Sequence, residues 1–193
     1  GIHPHDANDY NETVEAQIRA NAPHPKIVAI GEIGLDYHYD HSPRQIQIEA
    51  LEQQLQWASD YGLPVSFHVR SAYDDFWPIF DNFSGIQGVL HSFTDTAANL
   101  EAALSRNLLV AVNGISTFTK DTAQQQVFDN IPLNSLLLET DAPFLTPTPY
   151  RGKMNTPAYV EVIAEYHARR RHVSLEEIAE VTTKNANKLF RLF

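Results

Sequence analysis

Short apolar runs rich in β-branched residues alternate with amphipathic segments along the whole chain, and this alternation constrains the fold more than any other feature. Strand–helix units repeated in series build a parallel sheet covered by helices. The runs are "KIVAIGEIG" (26–34), "LPVSFHV" (63–69), "GVLHSF" (88–93), "NLLVAVNG" (107–114) and "SLLLETD" (135–141). Helices of roughly 11 to 20 residues are expected between them. The clearest is "SPRQIQIEALEQQLQWASDYG", with Ser42 as N-cap, Pro43 at the first helical position, apolar residues at 46, 48, 51, 55 and 58, and Gly62 past its end. Two helices close the chain, at 157–171 and 174–190, the second opened by a capping box from Ser174 to Glu177.

At 193 residues, 43% of them hydrophobic, the chain has enough apolar surface for one sizeable core, so a single domain over 1–193 is expected. Five parallel strands fit either an open doubly wound sheet or most of a (β/α) barrel. The polar residues favour the barrel: Glu32, His68, His91, Asn113 and Asp141 each fall at or just past the end of a different strand, where a barrel gathers side chains distant in sequence into one mouth.

With no cysteine in the chain, any metal must be held by His, Asp and Glu, which suits Mg2+, Mn2+ or Zn2+. Glu32, His68, His91 and Asp141 make a two-histidine, two-carboxylate set of the kind found at hydrolytic metal sites with open positions for water. A cation would also account for Asp141 at the end of an apolar run, because a carboxylate withdrawn from water needs a partner. Glu139 lies two residues earlier on the same strand face and suits orienting a neighbour or a buried ion pair. The net charge of -10 argues against a broad nucleic-acid-coating surface, although it leaves room for a nuclease whose positive charge is local and metallic. No apolar stretch approaches the length of a membrane span, and a cytoplasmic setting is the expectation for this cysteine-free chain.

The motifs "GIHPHD", "AIGEIGLDYHYD", "PVSFHVRSAYDDF", "GVLHSFT", "LLLETDAPFLTP" and "RGKMNTPAYV" occur in that order, followed by "TTKNANKLF". Together they resemble the TatD family of metal-dependent deoxyribonucleases of the amidohydrolase superfamily. The resemblance implies a TIM-type (β/α)8 barrel with one or two divalent ions in its mouth. It implies that Glu32 is the shared carboxylate, that His68 and His91 complete one metal site, and that Asp141 serves the other and handles the proton of the attacking water. By the same resemblance His3 stands at the rim near substrate phosphate, and Arg70, Arg151, Lys153 and Asn155 face the mouth as substrate-binding residues, where a cation or amide holds a phosphate or fixes the loop after the last strand. His5 is read as capping or turning the loop around Pro4.

Two departures from the family pattern stand out. "HSFTDT" replaces the commoner "HxFTGT", which puts Asp95 near His91. The family's N-terminal segment, with a His-x-His pair on its first strand, has no counterpart here, so the barrel is expected to be incomplete, with five full parallel strands plus the end of a sixth. The expected activity is metal-dependent hydrolysis of phosphodiester bonds, as an exonuclease on single-stranded DNA. Two alternatives use the same residues: an amidohydrolase-type enzyme acting on a small ester, amide or phosphoester, and a catalytically impaired barrel fragment serving as a scaffold, with "ARRRH" (168–172) as a partner patch.

Overall fold

Strand β2 (Val65–Arg70) shows how the chain sorts its side chains. Successive residues of a strand point to opposite faces, so Val65 and Phe67 lie on one face and Ser66 and His68 on the other. Phe67 is buried edge-on against Phe76 and Phe80 of the helix α3 (Tyr73–Asp81, following α1, Glu12–Asn21, and α2, Arg44–Tyr61), at 5.2 and 5.7 Å. Burying one face against a helix directs His68 to the other.

In a computed structural model, which describes residues 1–192, the chain divides into two compact units: Gly1–His91 with Leu189–Leu192, and Ser92–Lys188. In the first unit β1 (Ile30–Asp36), β2 and β3 (Gly88–Leu90) pair in parallel. In the second, β4 (Leu109–Val112) and β5 (Leu136–Leu138) pair in parallel, and α4 (Ala97–Ser105), α5 (Ile115–Phe118), α6 (Thr122–Asn130) and α7 (Val160–Arg171) accompany them. The last helix, α8, runs Leu175–Phe190. Strand order is β1-β2-β3 in the first unit and β4 beside β5 in the second, all parallel, as expected for successive units of a (β/α) barrel whose sheet is not closed.

Several expectations are corrected. β1 starts later than predicted and runs two residues further, so Glu32 is its third residue and not its end. The 11–20-residue expectation fails for α3, α4 and α6, each of 9 residues, and for α5, of 4. Ser42 does not cap α2: its hydroxyl donates to the His5 carbonyl at 2.9 Å and accepts from the Asn8 amide at 3.2 Å, leaving Pro43 at the cap. α2 ends as predicted at Gly62, in the left-handed region with φ 61°. The buried stripe of α2 includes two glutamines, which apolar periodicity does not reveal. Gln54 clamps Ile2, accepting from its amide at 2.6 Å and donating to its carbonyl at 3.1 Å; Gln47 does the same for Asp36 at 2.8 and 3.1 Å. The end of a sixth strand predicted at the N-terminus forms no ladder among the described residues, and Gly1–His3 instead lies pinned by Gln54. At the other end of the chain the serine half of the predicted capping box forms, with the Glu177 amide donating to Ser174 Oγ at 3.1 Å.

Candidate metal centre

Between Ile30 and Ile33 the β1–β2 register shifts, so Gly31 and Glu32 stand at a bulge. A bulge breaks the strict alternation of faces and re-aims a side chain. Glu32 Oε1 thereby becomes the point on which three imidazoles converge: His68 Nδ1 at 3.0 Å, His91 Nε2 at 3.3 Å and His3 Nε2 at 3.8 Å. β2 carries His68, and His91 follows directly after β3, with its amide bonded to the Phe67 carbonyl at 2.9 Å. His3 caps the short 3-10 turn Pro4–Asp9 by accepting the His5 amide at Nδ1, 3.1 Å away. That bond puts the proton of neutral His3 on Nε2, the nitrogen facing Glu32.

Behind His68 sits a residue that sequence reasoning missed. Asp36, at 0% exposure, takes His68 Nε2 at 2.9 Å and His5 Nε2 at 2.8 Å on Oδ2, while Oδ1 accepts the amides of His38 and Tyr39 at 2.9 and 3.1 Å. The signal was present in "GEIGLD": four residues along an extended strand returns to the same face, which links Asp36 to Glu32. His5 is likewise corrected. The loop-turning role belongs to His3, and the His5 ring serves Asp36, packed edge-on against His3 at 4.4 Å and His41 at 4.7 Å.

The electrostatics follow from these contacts. Burial raises the Asp36 pKa, but hydrogen bonds from His5, His68, Tyr39 and His38 outweigh it and hold the carboxyl well below the usual range. Glu32 shows the same contest: burial pushes it up, and the His68 hydrogen bond with the charges of His91, His68 and His3 brings it below its ordinary value. His3 is lowered to about 4, first by burial and then by His68, with Glu32 opposing. At neutral pH, His3 is therefore a neutral donor and both carboxyls are anionic.

These residues fit a divalent ion. Glu32, His68 and His91 each present a ligand atom within 4.8 Å of the others, and His3, His5 and His68 form a second such group. With His68 Nε2 donating to Asp36, its Nδ1 faces the Glu32 carboxylate at 3.0 Å, two acceptors that repel unless a proton or a cation lies between them. A carboxylate bracing the far nitrogen of a ligating imidazole is the usual support at metal sites, because it sets the tautomer and the ring orientation. A cleft of about 440 Å³ lined by His3, Asp6, Asp9 and Glu32, among others, adds a cation-attracting wall. Arg70, at the end of β2, is exposed and lies over the Tyr39 ring at 4.8 Å.

The remaining predicted residues belong to the second unit. Asp141 follows β5 with φ 57°, a left-handed conformation that Asp tolerates better than most residues, and its carbonyl accepts the Phe144 amide at 2.9 Å. Glu139 Oε1 accepts from the Ser92 amide at 2.7 Å and lies 3.4 Å from Asn113 Nδ2. Arg151 donates to the Thr146 carbonyl at 2.8 Å and stacks over Phe118 at 3.8 Å. Lys153 is exposed. Asn155 is only 3% exposed, and its amide group donates to the Thr140 and Phe144 carbonyls at 2.7 and 2.5 Å. Those bonds tie its side-chain donors to the loop after β5, one of the two uses expected of it.

Known proteins match this chain over nearly its whole length. The family model for TatD related DNase matches residues 1–191. The chain is 41% identical over its full length to the uncharacterized metal-dependent hydrolase YabD of Bacillus subtilis, covering 76% of that protein. It is 38% identical, again over its full length and 76% of the relative, to the 3'-5' ssDNA/RNA exonuclease TatD of Edwardsiella piscicida. Among solved structures it is similar to YJJV, a TatD homolog from Escherichia coli, with a TM-score of 0.91 at 28% identity over 99% of this chain and 75% of the other. Family model, full-length identity and shared fold agree that the chain belongs to the TatD-related DNase family of metal-dependent hydrolases.

Proposed function

We propose that the protein hydrolyses phosphodiester bonds of nucleic acid as an exonuclease on single-stranded DNA, with residues 1–193 acting as one hydrolase domain in the cytoplasm. The observation that carries this reading is the convergence of His68 Nδ1 and His91 Nε2 on Glu32 Oε1 at 3.0 and 3.3 Å, with Asp36 bracing His68 from behind. Glu32, His68 and His91 are the ligands we assign to a divalent ion (Mg2+, Mn2+ or Zn2+), and Asp141 is the carboxylate we assign to a second ligand position and to the proton of the attacking water. When bound, such an ion polarises a phosphoryl oxygen and makes water nucleophilic at neutral pH.

The protein's own groups then divide the remaining work. Asp36 holds His68 in the tautomer that turns Nδ1 toward Glu32. His3, neutral and protonated on Nε2, donates a hydrogen bond to a non-bridging phosphate oxygen without adding charge. Arg70, Arg151 and Lys153 supply cations for the phosphate backbone. The exonuclease name of the Edwardsiella relative supports nucleic acid over other phosphoesters as substrate.

The test is degradation of an end-labelled single-stranded oligonucleotide with manganese or magnesium, comparing wild type, Glu32→Gln, Asp141→Asn and a chelator control. Metal-dependent loss of label in the wild type, reduced at least about a hundredfold in both variants, is the expected result, since a ligand carboxylate lowers the barrier by several kcal/mol. Undiminished cleavage by Glu32→Gln would remove the basis of the proposal.

A further inference from the structure

The two most exposed large apolar side chains among the described residues are Met154 at 76% and Phe144 at 69%, and both sit on the loop that follows β5. A lone exposed apolar residue needs no explanation. These two stand on a loop that its own hydrogen bonds make rigid. Asn155, buried beside Met154, donates its backbone amide to the Pro143 carbonyl at 3.1 Å and its side-chain amide to the carbonyls of Thr140 and Phe144. Thr146 Oγ1 donates to the Lys153 carbonyl at 2.6 Å, and Arg151 to the Thr146 carbonyl at 2.8 Å. The Phe144-bearing and Met154-bearing strands of the loop are therefore stapled together, and each presents its apolar side chain to solvent beside the staple.

The charge of the stretch between Asp141 and Glu161 is opposite to that of the chain as a whole. The protein carries a formal charge of -10, yet from Ala142 to Val160 it has Arg151 and Lys153 and no acidic residue. Tyr150 and Tyr159 stack face to face in the same stretch, 4.6 Å apart. An exposed ring on a rigid frame with cations on the same loop offers the elements that bind single-stranded nucleic acid, because every base offers a π-face and every linkage a negative charge.

We infer that Phe144, supported by Met154, is a stacking platform for an unpaired base of a single-stranded nucleic acid whose phosphates are met by Arg151 and Lys153. This deepens the nuclease reading and rests on it. Fixing the backbone that carries the ring before binding lowers the ordering cost, which is what Asn155 and Thr146 provide. Duplex bases are stacked on their neighbours and have no free face for Phe144, so the platform selects single strands.

The experiment is binding of a fluorescent, hydrolysis-resistant phosphorothioate dT12 in manganese, read by anisotropy, for wild type, Phe144→Ala, Phe144→Trp and Met154→Ala. An abasic phosphorothioate of the same length is the control, and hydrolysis of ordinary dT12 is followed in parallel. Phe144→Ala should weaken dT12 binding about tenfold, in the range for losing one base–aromatic stack, and Met154→Ala about two- to threefold. Phe144→Trp should stay within about threefold of wild type and show indole quenching by the oligonucleotide, and none of the variants should alter binding of the abasic strand. Unchanged dT12 binding by Phe144→Ala in an enzyme that still cleaves DNA would overturn the platform and leave the nuclease reading intact. Wild type that neither binds nor cleaves dT12 would overturn both.

Discussion

Lowering the pH from 8 to 5 should cost the fold about 2 kcal/mol through one residue far from the metal centre in sequence, His167 of α7. The side chain is fully buried, with Nε2 3.0 Å from Ser116 Oγ. Ser116 commits its hydroxyl proton to the Asn113 carbonyl at 2.7 Å, so it accepts from His167. The neutral ring therefore carries its proton on Nε2 and leaves Nδ1 buried without a partner. A second proton would have to settle on Nδ1, in a dry site near Arg171, whose Nη groups are bound to the Ile131 and Phe128 carbonyls. Burial first and the Arg171 charge second lower the imidazole pKa from 6.5 to about 3, with Asp129 opposing and Arg170 adding a little. Because the folded pKa lies below the unfolded one, the unfolded chain takes up the proton first: this stability is complete above pH 6.5 and is lost progressively as the pH falls toward 3. Integrating proton uptake by the unfolded chain between pH 8 and 5 gives about 1.5 pH units at about 1.4 kcal/mol each, hence about 2 kcal/mol. The figure barely changes if the folded pKa is a unit higher, because the buried ring is still neutral at pH 5.

The assay is urea unfolding of the metal-free protein at pH 8, 6.5 and 5, comparing wild type with His167→Gln. A glutamine amide can still donate to Ser116 Oγ and does not titrate. His3, also lowered, contributes equally to both proteins and cancels in the difference. Wild type should lose about 2 kcal/mol more than His167→Gln between pH 8 and 5. Identical pH slopes for the two proteins would refute the burial argument.

Two further perturbations test the metal centre and its frame. Asp36→Asn places an NH2 where two oxygens accept four N–H groups, so one face of the buried amide meets only donors; manganese affinity by calorimetry should fall about 10- to 100-fold, as for other lost braces of ligating histidines. Gly34→Ala would put a Cβ 1.8 Å from the His68 carbonyl at φ 152°, where neither strand can yield without breaking the β1–β2 ladder. A loss of about 4 kcal/mol or more in a chemical melt is expected, and a variant as stable as wild type would show that the two strands are not this close.

The parallel strand–helix architecture was legible because it depends on local periodicity: β2, β3, β4 and β5 all lie within the predicted runs or one residue beyond, and the ends of α2 and α8 carry the expected glycine and capping-box signals. The grouping of Glu32, His68 and His91 was legible as well, since residues near the ends of successive parallel strands converge by topology. The misses were of another kind. Gln47 and Gln54 occupy the buried face of α2 although they are polar, because the backbone groups of Asp36 and Ile2 need partners there. His5 looked like a turn residue, and its ring instead serves Asp36.

Sequence by itself determined which residue types are available for the chemistry: with no cysteine and with histidines and carboxylates on separate strands, an N/O site for a divalent ion is the arrangement the order of strands permits. Only the tertiary structure decided how those groups are used. The bulge at Gly31–Glu32 aims Glu32 at the imidazoles, and burial of Asp36 sets the tautomer of His68. The physical reason is that periodicity specifies the face on which a side chain lies, whereas the direction of a hydrogen bond depends on partners brought together from distant parts of the chain.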